Sequence, residues 1–457
     1  MNCFLIVIDT LRADHLKCYG YFRNTSPNID KIAKNGVLFK DAYVTAMATG
    51  PAFSSIITGL APIHHHFYVT PYNIPNLIDF DDSILTLAEM ISELPGNFTT
   101  AAFDNLIDFS SHMDHMVRGY EYYINTSRFK DPDPRVHASG YLTGDKINKR
   151  LFPWLEQHKN ENMFVFMHYW EPHTPYNQPK EFRNIFQHKP GNLSDLKVCK
   201  APAGYSYVPG WGKVGEFFES SSSKSDISID LYDGEIFYVD TLIGEVINKL
   251  DELKIKDETM IIITADHGEQ LGQHGSYTHD KVIEGVIHIP LIFYYPQKLP
   301  TGKVITGYVQ QADIVPTILK MLGCKKNYTF DGEDLIPIIF GKKLARNEII
   351  IEDHYYRALI KNKWKYIRDY FSGQEELYNL EIDPIEVIDL ATKETKILNM
   401  MMDKLNKWIR KNLEGKPDPM WEQVAKWSAM WNVIFGEEFP KTKPKPVLVE
   451  GVDFLKQ

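Results

Sequence analysis

Phe4-Leu5-Ile6-Val7-Ile8-Asp9-Thr10-Leu11-Arg12-Ala13-Asp14 opens with five apolar residues and turns polar at a single position. A short apolar run without alternation reads as a strand buried on both faces, as in a parallel sheet covered by helices. Residues 163–167, 260–263 and 291–295 repeat the pattern. Helical stretches lie between them. Ser26-Pro27 caps one that carries Ile29, Ile32 and Ala33 and stops at Gly36. Residues 240–253 place Leu242, Ile243, Val246, Ile247 and Leu250 on one face of another. This alternation predicts an α/β fold, a mainly parallel sheet sandwiched by helices. Such sheets bind ligands beyond the carboxyl ends of their strands, which singles out Asp9, His168 and Asp266.

The 457 residues carry 50 Lys+Arg against 60 Asp+Glu, a net charge of −10, without the basic footprint of a nucleic-acid binder. Apolar residues at 44% and charged residues at 24% suit a globular chain with a large core. No run approaches the ~18 apolar residues of a spanning helix, and the start is too short for a signal peptide. Cys3, Cys18, Cys199 and Cys324 are too sparse for a disulfide framework. A cytoplasmic protein bound to neither nucleic acid nor membrane is expected, with the Asn-x-Ser/Thr triplets at Asn24, Asn97, Asn192 and Asn327 as chance matches.

Residues 1–345 are expected to form the catalytic α/β domain, with a Pro/Gly/Ser-rich surface insertion at about 182–228. Residues 346–415 read as a smaller α+β subdomain: antiparallel strands at 349–351, 358–360 and 364–367, then a helix over about 388–413. The extension 416–457 reads as a tail helix bearing Val424, Trp427, Trp431 and Phe435, then an extended arm at 440–446. So much aromatic surface must dock, on its own subunit or on a neighbouring chain, and a homo-oligomer is expected.

Three stretches carry the chemistry. Asp9 ends an apolar run, where a carboxylate binds a metal or substrate or caps a helix. Thr264-Ala265-Asp266-His267-Gly268-Glu269 supplies adjacent oxygen and nitrogen donors for a divalent cation, with Gly268 allowing a tight turn. A His ligand favours Mn²⁺ or Zn²⁺ over Ca²⁺ or Mg²⁺. In Thr49-Gly50-Pro51-Ala52-Phe53, Pro51 marks the first turn of a helix. The Thr49 hydroxyl there is either a helix cap or a nucleophile eased by the positive end of the dipole. His64-His65-His66 are consecutive and point in different directions, which argues against a shared metal.

In this order and spacing, the segments resemble the sulfatase branch of the alkaline phosphatase superfamily. Thr25-Ser26-Pro27-Asn28-Ile29-Asp30, Ser55-Ile56-Ile57-Thr58-Gly59-Leu60, Glu171-Pro172-His173-Thr174-Pro175-Tyr176, Tyr232-Asp233-Gly234-Glu235 and Glu376-Leu377-Tyr378-Asn379-Leu380 extend the likeness over most of the chain. The resemblance implies one divalent metal held by Asp9, Asp266 and His267, with Thr49 touching it and attacking the substrate. His173 and His279 match positions around the transferred group, where either could protonate the leaving oxygen. Asn105 and His168 are assigned to substrate binding, with a structural role as the alternative for His168. Asp313 and Asp240 read as helix caps.

The departures matter. Sulfatases form formylglycine from Cys or Ser in Cys/Ser-x-Pro-Ser-Arg. Here the slots hold Thr49, Pro51, Ala52 and Phe53, and threonine cannot be converted. The Gly-Lys-x-His element has no counterpart near Thr100-Ala101-Ala102-Phe103-Asp104-Asn105. The Pro-Asp-x-x-Gly-His element of two-metal phosphodiesterases is altered, with His173 for the Asp and Asn177 for the His. The expectation is a one-metal hydrolase of small phosphate esters, diester or monoester, working through a Thr49 covalent intermediate. A sulfuric ester hydrolase without formylglycine, a phospho-head-group transferase and an inactive binding protein are the alternatives.

Overall fold

The computed structural model describes residues 1–68, 80–105, 113–125, 143–186 and 224–422, apart from 175, 177, 277, 278 and 371, with the backbone of a few residues between 199 and 213. Its main sheet has eight strands. Their order is Lys303–Gln310, Val37–Tyr43, Leu291–Tyr294, Thr259–Ala265, Asn2–Ile8, Asn162–Tyr169, Phe98–Asp104 and Tyr122–Asn125. Every pairing is parallel except the two made by Leu291–Tyr294.

Alternate residues of the central strands enter different cores. Phe4, Ile6, Ile8, Ile261 and Ile263 join one cluster, and Cys3, Leu5, Val7, Met260 and Ile262 the other. Both faces are therefore dry, which is why these strands read as unbroken apolar runs. Burying a side chain of this size contributes roughly 1.5–3 kcal/mol, so each strand is held by several such terms.

The helices differ from their expected bounds. The helix read over 240–253 spans Lys224–Glu252, so Asp240 lies in its interior. Its carboxylate instead caps the helix Pro27–Lys34, accepting from the amides of Asn28 at 3.0 Å and Ile29 at 2.8 Å. Ser26 gives that helix no side-chain cap. Asp313 is the N-cap residue of the helix Ile314–Met321, but its carboxylate closes a capping box on the preceding turn Gln311–Asp313 instead of bonding that helix's amides. It accepts from the amides of Gln310 and Glu333, both at 2.7 Å, and pairs with Arg346.

A second, antiparallel sheet has four strands, Glu348–Asp353, Tyr356–Lys361, Trp364–Asp369 and Glu375–Asn379, one more than expected. Helix Thr395–Leu413 covers it through Met401, Leu405 and Ile409. That helix starts seven residues later than expected because the Asp383 carboxylate takes the amides of Val387 and Ile388 into a turn. The expected tail helix, the arm at 440–446 and most of the insertion at 182–228 lie outside the described residues. Among the described residues no helix is long and apolar enough to cross a membrane.

Candidate active site

Parallel register brings the strand ends together. Ile8 faces Ala265 on one side and Tyr169 on the other, while Val7 faces His168. Asp9, Asp266 and His168 therefore leave the sheet at one level. Asp9, Asp266 and His267 are fully buried, and one donor atom from each lies within 4.8 Å of the others. Asp266 Oδ1 accepts from the amides of Thr10 at 3.1 Å and His267 at 2.7 Å. Among the described residues, Asp9 Oδ1 and Asp266 Oδ2 have no hydrogen-bond partner, and Asp9 Oδ2 faces His168 Nε2 at 3.4 Å.

Buried carboxylate oxygens without donors are costly unless a cation faces them. The His267 Nδ1–H donates to the Gly268 carbonyl at 2.9 Å, which leaves the Nε2 lone pair for a ligand. Two carboxylates and one imidazole so arranged fit a divalent cation. Burial raises the Asp266 carboxyl to about 6 and lowers His267 to about 4 in the metal-free chain. Gly268 is needed for proximity: a Cβ there would stand 2.1 Å from the Gly285 carbonyl oxygen.

Thr49 is the first residue of the helix Thr49–Thr58, whose cap position is Ala48. The threonine hydroxyl does not cap the helix. Its oxygen lies 3.4 Å from His267 Nε2, and Thr49 is half-buried whereas Gly50 to Thr58 are buried. Ala48 has φ 64° and ψ 149°, a region that costs a residue with a Cβ about 1–3 kcal/mol. Phe53, in the slot where an arginine was sought, is buried and meets the His168 ring edge-on at 4.7 Å.

Two more imidazoles complete the array. The His279 ring centroid is 4.4 Å from that of His267 and 5.4 Å from that of His173. Burial lowers both His173 and His279, but Glu269, with Oε1 3.4 Å from His279 Nδ1, and Asp9 hold His279 up to about 9. His173 falls to about 4 and donates Nδ1–H to the Thr174 carbonyl at 2.5 Å. Environments that separate two titratable groups in this way are those of an acid and base pair.

His168 is fully buried, with Nε2 3.4 Å from Asp9 Oδ2 and Nδ1 2.9 Å from Asp104 Oδ1. Burial opposes its charge, but the two carboxylates hold it up to about 9. Asp104 Oδ2 accepts in turn from the Tyr123 hydroxyl at 2.7 Å and from Asn125 Nδ2 at 2.8 Å. Asn105 is buried, and its Oδ1 accepts from the Trp170 amide at 3.1 Å, in the loop leading to His173. The three consecutive histidines separate as expected: His64 meets Asp331 at 2.8 Å and His65 meets Ser55 Oγ at 3.0 Å. Asn177 lies outside the described residues.

Asp104 and Glu269 were not singled out from the sequence. Asp104 ends the strand Phe98–Asp104, so the strand-end rule would have found it had Thr99 and Thr100 not interrupted the apolar run. Asp104→Asn is expected to weaken metal binding about 10–100-fold by loosening His168 behind Asp9. Calorimetric titration of the metal-free variant with Mn²⁺ checks this, and an unchanged affinity would remove His168 from the support of the centre.

Residues 1–324 match the family model for sulfatases, and residues 272–412 match that for the C-terminal part of N-sulphoglucosamine sulphohydrolase. Human iduronate 2-sulfatase is 26% identical over 368 residues, covering 70% of this chain and 65% of that protein, just under two thirds of its length. PehA of Trinickia caryophylli, a multifunctional alkaline phosphatase superfamily protein, is 26% identical over 404 residues, covering 74% of this chain and 77% of its own. Phosphonate monoester hydrolase of Agrobacterium radiobacter shares the fold with a TM-score of 0.70 at 20% identity, over 90% of this chain and 96% of its own.

Proposed function

The chain belongs to the sulfatase family of metal-dependent ester hydrolases in the alkaline phosphatase superfamily, and on that premise we propose that it cleaves phosphate esters, diester or monoester, with Thr49 as an unmodified nucleophile. The observation that carries this reading is the Thr49 hydroxyl at the start of a helix, 3.4 Å from Nε2 of His267. A divalent cation on Asp9, Asp266 and His267, for which we favour Mn²⁺ or Zn²⁺, would supply Lewis-acid polarisation of the ester and favour the ionised hydroxyl.

The remaining chemistry belongs to the chain. Thr49 Oγ gives its proton to solvent and attacks phosphorus in line; the Oγ–P bond forms as the bond to the leaving oxygen breaks. His279, kept protonated beside Glu269, gives that oxygen its proton. Water then attacks the phosphothreonine and gives a proton to the now neutral His279, the P–Oγ bond breaks, Oγ takes a proton from solvent, and phosphate or its monoester departs. His168 holds Asp9, and Asn105 holds the loop leading to His173, so that substrate meets a fixed array.

Sulfate esters are the second reading, favoured by the names of several relatives. A sulfated threonine has no geminal hydroxyl through which to expel sulfate, so water must attack sulfur directly, which is the harder route. A panel of phosphate monoesters, phosphate diesters, phosphonate monoesters and sulfate esters with one common leaving group, supplied with Mn²⁺ or Zn²⁺, tests both. Turnover of phosphate esters above sulfate esters supports the first reading; turnover of sulfate esters alone replaces it with the second.

A further inference from the structure

Gln311 joins the two halves of the site. The residue is buried, and its side-chain carbonyl accepts from the Thr45 amide at 3.0 Å. Its Nε2 donates to the Ala265 carbonyl at 2.9 Å and to the Asp266 carbonyl. The partners fix the orientation of the amide, because an N–H needs an acceptor and two carbonyls need a donor. Thr45 lies four residues before Thr49, and Ala265-Asp266 is the strand end that presents the metal ligands.

The Thr45 arm has further holds. Thr45 Oγ1 accepts from the Ala312 amide at 3.0 Å. The Thr45 carbonyl accepts from the Glu352 amide, and the Met47 amide donates to the Glu352 carbonyl, both at 3.2 Å. Of these four hydrogen bonds among the described residues, only that of the Gln311 side chain leads on to the metal-ligand strand. Ala48 sits in a strained conformation between the arm and the helix, and persists only if both flanks are clamped.

We propose that Gln311 is a positioning residue, a strut that sets the separation between the Thr49 hydroxyl and the ligands Asp266 and His267. The inference rests on the reading of Thr49 as nucleophile. No other neutral side chain of this length presents an acceptor and a donor at those points. Glutamate would turn an oxygen toward two carbonyl oxygens, and leucine would take a partner from three buried backbone groups. A misplacement of about 1 Å between reacting groups lowers a rate by about 100-fold, so the strut acts on the chemical step more than on binding.

The test compares Gln311→Leu with Asn148→Leu. Asn148 is a buried amide of similar connectivity, bonded to Tyr169, Leu242 and Glu245, and stands outside the site. In Gln311→Leu, kcat per folded enzyme should fall about 100-fold with KM within about threefold, while Asn148→Leu keeps kcat. Amide hydrogen exchange at Met47, whose own bond goes to Glu352, should quicken by about tenfold in Gln311→Leu and not in Asn148→Leu. Equal kcat in the two variants, or wild-type exchange at Met47 in Gln311→Leu, would overturn the proposal. If the wild-type enzyme turns over no ester in the panel, the functional reading fails by itself and the exchange measurement still decides the strut.

Discussion

Thr49→Ala is expected to lower kcat/KM on the order of 10⁴-fold for whichever ester the enzyme prefers, with little change in the urea midpoint. The large effect follows from the role: without Oγ no covalent intermediate forms, and catalysis falls back on the polarised ester and ordinary water. The small structural effect follows from the contacts. Thr49 is half-buried, its hydroxyl is 3.4 Å from His267, and it caps no helix. Thr49→Ser should retain a measurable fraction of the rate, since a primary hydroxyl can still attack. Intact mass should show plain threonine at this position, and a rapidly quenched reaction should show one phosphoryl or sulfuryl group on the peptide containing it. Equal turnover by Thr49→Ala would rule out the covalent route.

Asp266→Asn produces the second large effect, and its sign depends on the metal. In the metal-loaded enzyme the variant should lose activity by about 10³-fold and be the less stable protein, because metal affinity contributes directly to folding free energy. In the metal-free chain the order reverses. Burial raises the Asp266 carboxyl to about 6 in the folded state, above its ordinary value of 3.8. The folded state thus holds the proton more tightly than the unfolded state, so stability is lost as pH rises above about 3.8 and the full cost is reached above about 6. Asparagine keeps the acceptor for Thr10 and His267 without the charge. With chelator at pH 7.5, Asp266→Asn should be more stable than wild type by about 3 kcal/mol. At pH 5, between the two values, the gap should fall to about half, and it should close only below about 3.8, where both states hold the proton. Urea midpoints of the two proteins at both pH values, with chelator and with Mn²⁺, give all four comparisons. A wild type more stable than the variant with chelator at pH 7.5 would mean that the buried carboxylates are already compensated by the protein.

Much of this molecule was legible along the chain, and the reasons are local. The strands through residues 4–8, 163–167, 260–263 and 291–295 are buried on both faces, so their composition alone marks them. Asp9 and Asp266 stood out because a polar residue directly after such a run sits at the sheet's carboxyl edge. Four strands of the main sheet were not read. Val37–Tyr43 carries Lys40 and Asp41 where it meets solvent, Phe98–Asp104 contains two threonines, and Tyr122–Asn125 and Lys303–Gln310 are edge strands, the latter with Val304 58% exposed. The helix expected from about 388 starts late because the nearby Asp383 carboxylate takes the Ile388 amide, whereas Pro27–Lys34 starts where expected and only its cap comes from a distant residue, Asp240.

What the residues determined by themselves was the fold class, the strand-end positions of Asp9 and Asp266 and the absence of the formylglycine pattern around Thr49. Only the tertiary structure decided which groups stand behind the triad of Asp9, Asp266 and His267. Asp104 reaches His168 across 64 positions, and Gln311 reaches Thr45 across 266. The same holds for the Thr49 hydroxyl: whether it caps its helix or faces His267, 218 positions away, is settled by how the sheet packs. Periodicity and strand-end position are properties of neighbouring residues, whereas a buried hydrogen bond exists only where packing brings donor and acceptor within about 3 Å.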